Sequence, residues 1–143
     1  MSHAEELKNG AEQLGLQYEL LTGEVAAAII EACYLKFEPF RRQGHLGIMH
    51  KKSIKFKLSE HEYTFSEQLN DEPLLVFFEQ TRENIDVVFK LFKGQFFSRL
   101  LEECYGMEYF LTNMHVDYLI AVNWYTIEIV GNDNFLPQHE ANE

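Results

Sequence analysis

Tyr118-Leu119-Ile120-Ala121-Val122-Asn123-Trp124-Tyr125-Thr126-Ile127-Glu128-Ile129-Val130-Gly131 is the stretch that decides the fold class. It is rich in β-branched and aromatic residues, contains no proline, and stops at a glycine, which reads as one long bent strand or two short ones. Alternation puts Tyr118, Ile120, Val122 and Trp124 on one side and Leu119, Ala121, Asn123 and Tyr125 on the other. Both sides are apolar. If one face of the sheet meets water, some of these aromatics must be exposed. If both faces are covered, that argument disappears.

Working outward, Met107 to Leu111 reads as a strand, with Thr112 to Asp117 as the turn after it. Before these lies a helix, because Phe96, Phe97, Leu100, Leu101 and Cys104 recur at helical spacing, and Gly106 is its expected C-cap. Leu74 to Phe78 is a short apolar run that suits a buried strand. Val87 to Phe92 is another strand, with a polar turn from Thr81 to Asn84 between the two. Ile54, Phe56 and Leu58 alternate with lysines as a half-buried strand does. Tyr63 and Phe65 continue the pattern after a Ser59-Glu60-His61 turn and complete a hairpin.

The N-terminal part reads as two helices. Ser2 and Glu5 fit a capping box, Leu7, Ala11 and Leu14 follow at helical spacing, and Gly15 stops the helix, so it covers roughly residues 3–14. Leu16 to Leu21 can be linker or strand. Thr22 caps a second helix to about Leu35, with Val25, Ile29 and Cys33 as its stripe, widened by Ala26 and Ile30. Residues 39–52 read as a mobile loop and residues 132–143 as a frayed polar tail. The expectation is a single α+β domain: two N-terminal helices, then an antiparallel or mixed sheet of about five to six strands with one inserted helix, helices packed on one face.

The chain has 143 residues and a formal net charge of -11, from 12 basic and 23 acidic residues. Hydrophobic residues make up 46%, enough for a core, so the composition is not that of a disordered chain. The charge is segregated. Lys36, Arg41, Arg42, Lys51, Lys52, Lys55 and Lys57 face only Glu38 in residues 36–57, whereas no lysine or arginine follows Arg99.

Such an acidic chain attracts cationic partners and repels nucleic acid. The basic stretch is the counter-argument: Arg41, Arg42, Lys51, Lys52, Lys55 and Lys57 could carry a nucleic-acid adaptor. Against that, Phe56 alternates with the lysines and points inward, so it cannot stack on a base. Outward lysines also protect an edge strand, and the basic segment can fold over the acidic remainder of its own chain. A basic strip and an acidic third could equally meet across a two-fold axis in a homodimer.

Chemistry-bearing motifs are missing. There is no GxSxG, no HExxH and no phosphate-binding glycine loop, since Gly44-His45-Leu46-Gly47 lacks the following Lys-Ser/Thr. His45 and His50 flank a glycine-containing loop without a carboxylate between them. No metal or other cofactor is expected, and no enzymatic activity. Cys33 and Cys104 read as reduced, buried thiols. The N-terminus lacks the basic and apolar regions of a signal peptide, and no run reaches the roughly 18 apolar residues of a membrane span. A cytoplasmic protein is the expectation.

The segment from Glu108 to Gly131, with the D-x-L turn Asp117-Tyr118-Leu119 between its strands, resembles the C-terminal end of the small acidic immunity proteins of bacterial polymorphic toxin systems. The resemblance implies a cytosolic inhibitor that occludes a toxin domain and has no catalytic role. The residues read as its partner-binding set are Glu102, Glu108, Asp117 and Glu128 for a basic cleft, with Trp124 and Tyr125 as anchors, because acids beside exposed aromatics suit a protein interface. The alternative is a small enzyme or ligand-binding domain with a pocket near the 41–52 loop.

Overall fold

The computed structural model describes residues 2–37, 40–48, 53–63, 65 and 71–131. The chain runs α1 (His3–Leu14), β1 (Tyr18–Thr22), α2 (Gly23–Lys36), β2 (Phe40–Arg41), β3 (Gly47–Ile48), β4 (Ile54–Lys57), α3 (Leu58–His61), β5 (Leu74–Phe77) and β6 (Val87–Leu91). A 3-10 turn (Gly94–Phe96) leads into α4 (Phe97–Glu102), followed by β7 (Tyr109–Asn113), β8 (Tyr118–Val122) and β9 (Thr126–Gly131). The architecture is α+β. The main sheet has seven strands in the order β1-β6-β5-β7-β8-β9-β4, beyond the five to six expected, and every neighbouring pair is antiparallel. β2 and β3 form a separate two-stranded hairpin.

Local chemistry explains where α1 begins and ends. The Ser2 hydroxyl accepts the Glu5 N–H at 3.1 Å and donates to the Glu5 carboxylate at 3.2 Å. Gly15 takes φ 70°, which lets the Leu16 N–H reach back to the Ala11 carbonyl at 2.9 Å. Between the caps, Ala4, Leu7, Gly10 and Ala11 are the buried face. Gly10 admits α4 closely, since a Cβ there would sit 2.9 Å from Leu100 Cδ1.

Both faces of the sheet are covered, which corrects the expectation of helices on one face. On the first face Val76, Phe89, Leu111, Ile120 and Ile127 pack with Leu7, Ala11, Phe97 and Leu100 from α1 and α4. On the second, Leu75, Phe77, Val88, Phe110 and Leu119 pack with Ala26, Ile30, Cys33 and Tyr34 of α2, and with Leu46 and Ile48 from the hairpin region. All five residues of β8 are therefore buried, and alternation forces none of them into water. The long apolar stretch resolves into two strands because Asn123 turns the chain between them.

Four further expectations are corrected. The inward stripe of α2 is Ala26, Ile30, Cys33 and Tyr34, while Val25 is exposed. α2 carries apolar residues all round, so periodicity alone could not choose its buried side. The segment read as a 39–52 loop contains β2 and β3 within its described part. The alternation from Ile54 does not continue into a hairpin: Leu58–His61 is a helical turn, and β4 pairs instead with β9, Ile54 opposite Ile129 and Phe56 opposite Ile127. The inserted helix ends at Glu102 with Glu103 as its cap, before Gly106. The expected tail, 132–143, lies outside the described residues. No helix among the described residues is long and apolar enough to cross a membrane.

Candidate functional site

The end of the sheet where β8 turns into β9 gathers the exposed aromatic residues of the described part. Asn123 builds the turn: its side-chain oxygen accepts the N–H groups of Tyr125 at 2.8 Å and Thr126 at 2.9 Å. A backbone held this way projects Trp124 and Tyr125 off the end of the sheet, 50% and 67% exposed. The Trp124 ring rests on Gly106, where a Cβ would lie 2.7 Å from Cζ3. Tyr125 meets the His45 ring edge-on at 5.2 Å.

The end of α4 adds to the same surface. Tyr105 is 86% exposed, and its N–H is tied to the Glu6 carboxylate at 3.0 Å. Tyr63, past α3, is exposed as well. Its hydroxyl is pushed up from the ordinary tyrosine range by desolvation, and then by the negative charges of Glu62 and Glu102, which places those carboxylates around it. Glu60, Glu102 and Glu103 are exposed acids of this end, and Lys57 is exposed at its margin.

The six residues read as partner-binding separate into three groups. Glu102, Glu108, Trp124 and Tyr125 share this end. Asp117 lies at the other end of β8, roughly 17 Å away along a strand of this length, where its carboxylate accepts the Asn113 side-chain amide at 2.9 Å. Glu128 is only 2% exposed. It points from β9 into the second face, accepts the Ile48 N–H, and pairs with Arg41 at 3.8 Å and Lys55 at 3.6 Å.

Glu108 is likewise turned inward, although it stands at the right end. Its two oxygens take the Leu46 N–H at 2.9 Å and the His45 Nδ1 at 2.8 Å. Glu79 accepts the Gly44 N–H at 3.3 Å, and the Asn123 side-chain amide donates to the Leu46 carbonyl at 2.9 Å. Part of the basic stretch, Arg41, the 44–46 loop and Lys55, is thus fastened over acids of its own chain. Arg41 and Lys55 are spent on Glu128, and the Arg42 guanidinium lies 4.0 Å from the centre of the Tyr34 ring. Phe56 is buried, so Lys55 and Lys57 face water without an aromatic between them. Lys51 and Lys52, also read as part of a basic patch, lie outside the described residues.

Between this fastened loop and Trp124 opens a cleft of about 420 Å³, walled by His3, His45, Glu79, Met107, Glu108 and Trp124. Sequence reasoning placed a possible pocket near this loop but missed His3, Glu79 and Gly106. They come from three distant chain segments, which only the fold brings together. Among the described residues no group of three or more His, Cys, Asp or Glu side chains assembles as a metal would require. The cysteines sit apart, Cys33 in the second-face core and Cys104 beside α1 on the first. Burial pushes the Cys33 thiol up to about 12 and the Cys104 thiol up to about 11, the opposite of an activated nucleophile.

Compared with known proteins, the chain matches no family model, no curated protein and no solved structure.

Proposed function

We propose that this chain is a binding protein without catalytic activity that occludes a basic partner, in the manner of an immunity protein acting on a toxin domain. The observation that carries the reading is the β8–β9 end: exposed Tyr63, Tyr105, Trp124 and Tyr125 stand beside the exposed carboxylates of Glu60, Glu102 and Glu103. Tyrosine and tryptophan supply large contact area at low entropic cost, and carboxylates steer a cationic partner and set its orientation. The contact set differs from the one read in the sequence. Glu128 and Asp117 drop out by position, Glu108 serves from within, and Tyr63, Tyr105, Glu60 and Glu103 enter.

The test is co-expression with the product of the neighbouring gene, scored as rescue of growth and as binding by calorimetry. Y105A and Y125A are each expected to weaken binding about 30-fold, the hot-spot threshold of about 2 kcal/mol. Charge reversal at Glu102 and Glu103 should slow association and flatten its salt dependence. Unchanged affinity in both sets would remove this face from the function.

A further inference from the structure

The cleft beside Trp124 has a chemistry of its own. Its walls bring together one indole, two carboxylates (Glu79 and Glu108) and the imidazoles of His3 and His45, and among the described residues no lysine or arginine lines it. Gly106 seats the indole, since any side chain there would collide with the ring at 2.7 Å and swing it away. Glu108 has an 11% exposed side chain and is held by His45 and the Leu46 N–H, so its carboxylate is fixed in place. Glu79 receives the Gly44 N–H on Oε1 at 3.3 Å and stands in the cleft wall. A volume of about 420 Å³ lies within the range of small-ligand sites.

We infer that this cleft is a recognition site for a guanidinium cation, stacked on Trp124 and accepted by Glu79 within the field of Glu108. A guanidinium fits better than an ammonium because it is planar, weakly hydrated and able to stack on an indole while donating sideways to a carboxylate. The inference rests on the binding role proposed above only in naming the source: there, the guanidinium is an arginine of the basic partner, seated next to Tyr125.

Trp124 is the sole tryptophan of the chain and therefore reports its own site. The experiment titrates the intact protein with N-acetyl-L-arginine amide and follows Trp124 fluorescence. A saturable change is expected, with the uncharged isostere N-acetyl-L-citrulline amide binding at least about tenfold more weakly, because charge-assisted hydrogen bonds and the cation–π contact are lost together. Glu79→Gln keeps an acceptor for Gly44 and should weaken arginine binding several-fold, and Gly106→Ala should do the same by displacing the indole. Absence of saturation, or equal binding of the citrulline compound, overturns the inference. Agmatine, a free guanidinium base, separates the sources: tighter binding than the blocked arginine keeps the cation site but assigns it to a small molecule, against the partner reading. Loss of arginine amide binding alongside intact partner binding through Tyr105 and Tyr125 overturns the cleft while the partner reading stands.

Discussion

Removing the Glu128 side chain should detach the β2–β3 hairpin from a sheet that itself stays folded. In Glu128→Ala the Ile48 N–H, on a residue 4% exposed, loses its acceptor, and an unsatisfied buried donor costs about 1–3 kcal/mol. The ion pairs add little. Arg41 and Lys55 are 49% and 62% exposed, so water takes over their solvation and each pair is worth no more than roughly 0.5 kcal/mol after screening. The total is a destabilisation of about 1–4 kcal/mol. Glu128→Gln keeps an oxygen for Ile48 and relieves the burial of a charge, which offsets the two lost pairs; it should cost under about 1 kcal/mol. The assay is urea unfolding combined with amide hydrogen exchange. Protection of Leu46 and Ile48 should collapse in the alanine variant, while that of Ile120 and Ile127 should persist. The reasoning is refuted if alanine stays within about 0.5 kcal/mol of wild type, or if glutamine costs as much as alanine, since the charge and not the acceptor would then hold the hairpin.

Two further outcomes follow from the backbone and the buried thiol. Val116, β-branched and partly buried, sits at φ 53° in the turn between β7 and β8. Val116→Asn should raise stability by roughly 0.5–1 kcal/mol by relieving left-handed strain, and a thermal melt showing a loss would mean that the packing of Val116 outweighs it. Cys33 is stabilising as the neutral thiol: its pKa rises from 9.0 to about 12 on folding. That contribution is complete below pH 9, and it is lost as the pH climbs from 9 toward 12. Stability should drop by about 2 kcal/mol by about pH 10.5, at 1.36 kcal/mol per unit. Cys33→Ala should reduce that slope in urea midpoints measured across the range, and an unchanged slope would assign it to Cys104, Tyr109 and Tyr118, which burial also pushes upward.

How much was legible depended on whether a signal was local. α1 could be read because Ser2, Glu5 and Gly15 each do a job within their own helix. β5 and β6 could be read because short apolar runs between polar turns leave few alternatives. α2 could be found but not oriented, since Val25, Ala26, Ile29 and Ile30 offer apolar faces on both sides and only the sheet beneath decides. The pairing of β4 with β9 joins residues 57 and 126, a contact that no local pattern encodes. Leu58 satisfies strand alternation and a helical turn equally well, and the alternation read there ran on into α3. The exposure of Trp124 and Tyr125 was anticipated from strand alternation and arises from something else, the Asn123 side chain folding the turn.

The same distinction applies to charge. Along the sequence the basic stretch and the acidic C-terminal third look like two opposed surfaces. In space they meet: Arg41 and Lys55 converge on Glu128, and the loop from Gly44 to Leu46 is pinned by Glu79 and Glu108. Since -11 is the formal charge of the whole chain, local pairing on the second face does not remove the excess but shifts it to the acids that stay exposed. Glu102 and Glu103 are among these, next to Tyr105. The basic stretch thus has a structural use that needs no nucleic acid. The exposed carboxylates stay at the aromatic end, and the cleft proposed to take a guanidinium lies where the fastened loop and that end adjoin.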